Sequence, residues 1–92
     1  QQLLNALAQQ DLQSAGDPPL IKAVQTLDEA RQVNLLRFWL NNQGVQASAA
    51  QMDALLVQIK SCTTRGHQID IKVGNGFVRR EGECLHWYNQ KL

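Results

Sequence analysis

The sequence predicts an α+β fold, with about three amphipathic helices packed against a small antiparallel three-stranded β-meander. Three observations predict it. Apolar residues recur at three- and four-residue spacing through most of the chain, then at every second residue from Ile69 onward. Helix-capping residues precede two of the helical stretches. An Asn-Gly pair, a hairpin signal, separates the two runs of alternating residues. The 92 residues, 43% hydrophobic and 18% charged, suffice for one domain and one core.

The first helix is read from Leu3, Leu4, Leu7, Ala8 and Leu12, which make one apolar stripe over residues 1–14. Gly16-Asp17-Pro18-Pro19 stops it, because proline has no N–H to continue the ladder. Leu20 to Val24 reads as a short extended piece. Thr26-Leu27-Asp28-Glu29 fits a capping box with Thr26 as the cap, opening a helix that runs to about Gln43. Asp28 and Glu29 suit the positive end of its dipole and are read that way, not as an acid/base pair. Ala30, Val33, Leu36, Trp39 and Leu40 fall on one broad side of this helix. Gly44 should end it with a Schellman turn that brings Val45 onto Leu40.

Ser48-Ala49-Ala50-Gln51 is a second capping box, and Met52, Leu55, Leu56 and Ile59 form the stripe of the helix behind it. That helix should end near Cys62, with 63–66 as a loop. Ile69, Ile71 and Val73 then alternate with Asp70 and Lys72. Phe77 to Arg80 is the return strand, Gly82 marks a turn, and Cys84 to Tyr88 is a third strand with Leu85 and Trp87 on one face. Aromatics are only 5% of the chain, so the core should be aliphatic, with Trp39 and Trp87 as its large pieces.

The chemistry-bearing motifs are few. Gly74-x-Gly76 lacks the third glycine of a dinucleotide fingerprint and sits in a hairpin. There is no G-x-x-x-x-G-K phosphate loop, and none of Ser14, Ser48 and Ser61 has a nearby histidine. Cys62, Cys84, His67 and His86 contain no C-x-x-C or H-x-x-x-H pair, so no metal is expected and the two thiols should be reduced. No apolar run approaches the ~20 residues of a membrane helix. No targeting pattern opens the chain, so a cytoplasmic location without membrane contact is expected. The start at Gln1 suggests one domain, 1–92, cut from a longer protein.

The net charge of +1 is unevenly spread. Residues 1–59 carry a balance of −2, and residues 60–92 a balance of +3. A locally basic end can meet phosphate. Arg79-Arg80 is the sharpest feature there, since neighbouring strand residues point to opposite faces and arginine donates two bonds to paired oxygens. Lys72, Arg65 and His67 lie where the same hairpin would gather them into a basic strip. A cross-strand ion pair with Asp70 or Glu81 is the competing use of either arginine. Arg37 lies about 40° from Val33 on the helical wheel, where an arginine is expected to be buried with a partner or to cover the core edge with its stem. Arg31 and Phe38 flank the other side.

The run Ala30-Arg31-Gln32-Val33-Asn34-Leu35-Leu36-Arg37-Phe38-Trp39-Leu40, then Ile71-Lys72-Val73-Gly74, Val78-Arg79-Arg80 and Leu85-His86-Trp87, resembles the middle domain of bacterial tRNA(Ile)-lysidine synthetases. The resemblance spans nearly the whole chain in order. It implies a tRNA-contacting domain that helps set the anticodon cytidine of a tRNA(Ile) with a CAU anticodon for ATP-dependent lysine ligation. It assigns that chemistry, with ATP and Mg, to an N-terminal domain bearing an S-G-G-x-D-S loop. This chain has no such loop, so no catalytic residue and no cofactor is expected in it. The resemblance maps Arg37, Arg79 and Arg80 onto the arginine-bearing pieces. Glu81 and Phe38 depart from it, standing where an aromatic and a second basic residue occur. The expected nucleic-acid-binding residues are Arg79, Arg80, Lys72, Arg65, Arg37 and Arg31. Two other functions fit the element order: a winged-helix DNA-binding module and a purely structural interdomain module.

Overall fold

The computed structural model describes residues 2–89. Its elements run α1 (Gln2–Ala15), α2 (Ile21–Gln25), α3 (Glu29–Asn41), α4 (Ala49–Ser61), β1 (Asp70–Val73), β2 (Gly76–Glu81) and β3 (Cys84–Asn89). The fold is α+β, with four helices among the described residues and one antiparallel sheet in the order β1-β2-β3.

Residues 20–24 correct the expected extended piece. Leu20 alone makes a β-bridge, to Cys84, and a helical turn follows at once. Ile21 and Val24 are three residues apart and both buried, so a helix puts both into the core where a strand would split them. The cap of α3 also moves. The Thr26 hydroxyl points back to α2, donating to the Ala23 carbonyl at 2.7 Å. Asp28 caps instead, accepting from the Arg31 N–H at 2.9 Å.

The other local signals act as read. Gly44 donates to Asn41 and Val45 to Leu40, the two bonds of a Schellman ending, and Val45 is buried beside Leu40 in the core. Ser48 and Gln51 form both bonds of the capping box. Leu35, Leu36, Trp39 and Leu40 are the buried face of α3. Ala30 is exposed and Val33 only half-buried, so the apolar side is rotated from the expected one. Contact with α1, where Asn34 donates to the Leu4 carbonyl, helps set that rotation.

In the sheet, Val73 pairs with Gly76 and Ile71 with Val78, and Val78 pairs in turn with Trp87. The two-residue turn is therefore Gly74-Asn75, not Asn75-Gly76. Gly74 has φ +60° and Asn75 does not have positive φ, the type II′ pattern. Gly76 is a strand residue for a separate reason: a Cβ there would overlap the Tyr88 carbonyl and lie 2.8 Å from the Trp87 ring. Val73, Val78 and Leu85 are fully buried on the sheet face turned to the helices. Trp87 packs at that core's edge and donates its indole N–H to the Val73 carbonyl at 3.0 Å.

Candidate nucleic-acid interface

The alternation that buries Val73, Val78 and Leu85 puts every second residue on the opposite face of the sheet. The pairing arranges these outward residues in rows. Lys72, Phe77 and Tyr88 make one row across the three strands, and Asp70, Arg79 and His86 the next. Glu81 and Cys84 pair beyond them.

Several contacts fix this face. The Arg79 guanidinium sits 5.0 Å above the Phe77 ring and its Nε donates to Asp70 at 3.2 Å. This is the expected cross-strand ion pair, and it leaves Arg79 half-exposed. The Tyr88 hydroxyl donates to Glu81 at 2.6 Å, and the His86 and Tyr88 rings stack with centroids 5.9 Å apart. That hydrogen bond to the Glu81 carboxylate, followed by desolvation and the carboxylate's charge, raises the Tyr88 phenol above its ordinary pKa; Arg79 opposes it.

The basic residues named from the sequence take different places. Arg79 and Lys72 are exposed on the outer sheet face. Arg65 is exposed in the loop before β1. A depression of about 730 Å³ between that loop and the hairpin is lined by Arg65, His67, Asp70, Arg79, Arg80 and Glu83. Arg80 points to the inner side of β2 and is tied into backbone. It donates to the carbonyls of His67 at 2.6 Å, Thr64 at 2.8 Å and Gly82 at 2.9 Å.

Arg37 is exposed on α3 and has no ion-pair or hydrogen-bond partner among the described residues, so it is not the buried, paired arginine that was one of its two expected uses. The buried face of α3 centres between Leu36 and Trp39, which leaves Arg37 on the solvent side. Arg31 binds Asp11 through both Nε and a terminal nitrogen, joining α3 to α1. That bond raises the Arg31 pKa further, and the buried Asp11 carboxylate gains a partner. The structure thus gathers Arg65, Lys72, Arg79 and Arg80 at the hairpin and leaves Arg31 and Arg37 apart on α3.

Phe77, His86 and Tyr88 were not singled out by sequence reasoning. Their signal was present in the period of two: Phe77 alternates with Val78, and His86 and Tyr88 with Leu85 and Trp87. Cys62 and Cys84 are both free, and no group of three potential metal ligands occurs among the described residues. No helix among those residues is long and apolar enough to cross a membrane.

A family model described as the TilS substrate binding domain matches residues 20–86, which include the β1–β2 hairpin, the loop before it and the first half of β3. A tRNA(Ile)-lysidine synthase from Polaromonas naphthalenivorans (strain CJ2) is 51% identical over 85 residues. That match covers 92% of this chain and 26% of the relative, so the chain spans about a quarter of the relative's length. No solved structure matches the chain.

Proposed function

Since the chain belongs to the TilS substrate binding domain family, we propose that it binds tRNA as one domain of a cytoplasmic tRNA(Ile)-lysidine synthase. In this reading the domain performs no chemistry. It helps hold a tRNA(Ile) with a CAU anticodon so that the anticodon cytidine reaches the catalytic domain of the same protein. That domain would use ATP and Mg to ligate lysine.

The observation that carries this reading is the placement of Arg65, Lys72 and Arg79, all exposed at one hairpin inside the segment that matches the family. Exposed, unburied cations there can approach a phosphate backbone without paying for desolvation of a core. Arg80 supports them indirectly, by holding the loop that carries Arg65 against the hairpin. With a net charge of +1, affinity should be weak and should fall steeply with salt.

The test is a low-salt titration of the chain against labelled tRNA(Ile) and against duplex DNA of similar charge. The Lys72→Ala, Arg79→Ala double variant runs beside it, leaving Arg80 intact. The expected result is preference for tRNA, with the double variant weaker and its salt slope shallower by about 0.9 for each phosphate it no longer neutralises. Equal affinity for duplex DNA would reduce the reading to bulk charge. A double variant that binds tRNA like the parent would leave the hairpin a packing surface between domains.

A further inference from the structure

The outer face of the sheet carries as many acids as lysines and arginines, so contact with phosphate does not account for the whole of it. Its cations, Lys72 and Arg79, are matched by Asp70 and Glu81. Both acids are engaged with their neighbours on that face. Asp70 holds the Arg79 guanidinium, which lies over the Phe77 ring. Glu81 accepts from the Tyr88 hydroxyl and lies 3.5 Å from the His86 ring, which stacks on Tyr88. The acids therefore orient planar groups. Four of these, Phe77, Tyr88, His86 and the Arg79 guanidinium, occupy adjacent positions in two neighbouring rows of the face.

Phe77 is outside the core cluster, unlike Ile71 and Trp87 on the other side of the sheet. The rings are only partly exposed, and their open faces have a cost in water unless a ligand covers them. Planar side chains locked by hydrogen bonds lose little freedom when they bind, so their contact area converts efficiently into affinity. Nucleobases are the flat, apolar-faced groups of the ligand argued above, and unpaired ones expose those faces.

We infer that the face formed by Phe77, Arg79, His86 and Tyr88 is a stacking platform for unpaired bases of the RNA. This rests on the tRNA-binding reading and adds to it a second mode of contact. Cations near the hairpin, Arg65 and Lys72, track phosphates and set the salt dependence. The rings take bases splayed out of the strand, a contribution that salt barely screens. The ligand class is single-stranded RNA, a loop or a bulge, in preference to a continuous helix whose bases are already stacked.

The experiment uses the chain with three probes: labelled tRNA(Ile), a short single-stranded RNA carrying one 2-aminopurine, and a duplex RNA of equal length. Expected for the parent chain are tighter binding of the single strand than the duplex and quenching of 2-aminopurine as it stacks. Phe77→Leu and Tyr88→Leu should each weaken single-strand binding by about fivefold or more, with the salt slope unchanged. Tyr88→Phe keeps the ring but loses the hydrogen bond to Glu81 that orients it, so its affinity should fall between the parent's and that of Tyr88→Leu. Thermal melts of each variant separate lost stacking from lost folding, and the quenching of 2-aminopurine by the parent chain needs no variant. Unquenched 2-aminopurine, equal binding of single strand and duplex, or folded leucine variants that bind like the parent would each overturn the platform while leaving tRNA binding intact. No binding to tRNA by any form would remove the functional reading itself, and the platform with it.

Discussion

Replacing Arg80 should damage the fold, whereas replacing its neighbour Arg79 should leave the fold nearly intact. Arg80 makes three charged hydrogen bonds, to the carbonyls of Thr64, His67 and Gly82. These join the 62–69 loop to the turn between β2 and β3. A hydrogen bond to a charged group contributes roughly 1.5–3 kcal/mol net when buried. Two of the three are exposed and would be replaced by water; the one to His67 is partly buried. Arg80→Ala should therefore cost about 2 kcal/mol in total, close to one protected bond. For a domain of this length that lowers Tm by roughly 8–16 °C. Arg79 has an ion pair whose side chains are 48% and 60% exposed, which contributes ~0–1 kcal/mol. Arg79→Ala should shift Tm by less than about 8 °C. Arg80→Lys keeps the charge but not the planar fork, so it should recover under half of the loss. Thermal unfolding followed by circular dichroism measures all three variants. If Arg80→Ala melted within about 2 °C of the parent chain, or no lower than Arg79→Ala, the assignment of Arg80 to the backbone clamp would be wrong.

Two more outcomes follow from the hairpins. Gly76→Ala places a methyl group against the Tyr88 carbonyl and the Trp87 ring. It should cost about 3 kcal/mol or more and shift the Trp87 indole N–H resonance as its bond to Val73 breaks; an unchanged resonance and Tm would refute the close packing. Tyr88 is the single tyrosine of the chain, so its phenolate absorbance can be titrated directly. The midpoint should lie above the ordinary value of about 10 and fall toward it in Glu81→Ala. A phenol raised in the folded state binds its proton more tightly there than in the unfolded chain. Its stabilisation is thus complete below about pH 10 and is lost as pH rises through the folded midpoint. A midpoint at the ordinary value in the parent chain would rule out the Tyr88–Glu81 bond.

The amino-acid sequence by itself determined those features that depend on residues three to five apart. The Ser48–Gln51 box and the Leu40–Val45 ending are of this kind, since the same short segment holds donor, acceptor and apolar pair. The change of period near residue 69 separated helices from sheet because it reflects which face is buried, and the sheet could bury Val73, Val78 and Leu85 in only one register. The same alternation carried the outward positions of Phe77, Arg79 and Tyr88. Tertiary structure decided whatever depends on a distant partner. The piece from Ile21 to Gln25 is helical where its end meets α4, with Gln25 donating to carbonyls 34 and 37 residues away. Arg31 is committed by Asp11, 20 residues back, and Arg80 by carbonyls 13 and 16 residues back. An arginine has the same propensity and charge whether it faces phosphate or clamps a loop. The acceptors that the folded chain brings within reach of its guanidinium separate the two, and no local pattern encodes them.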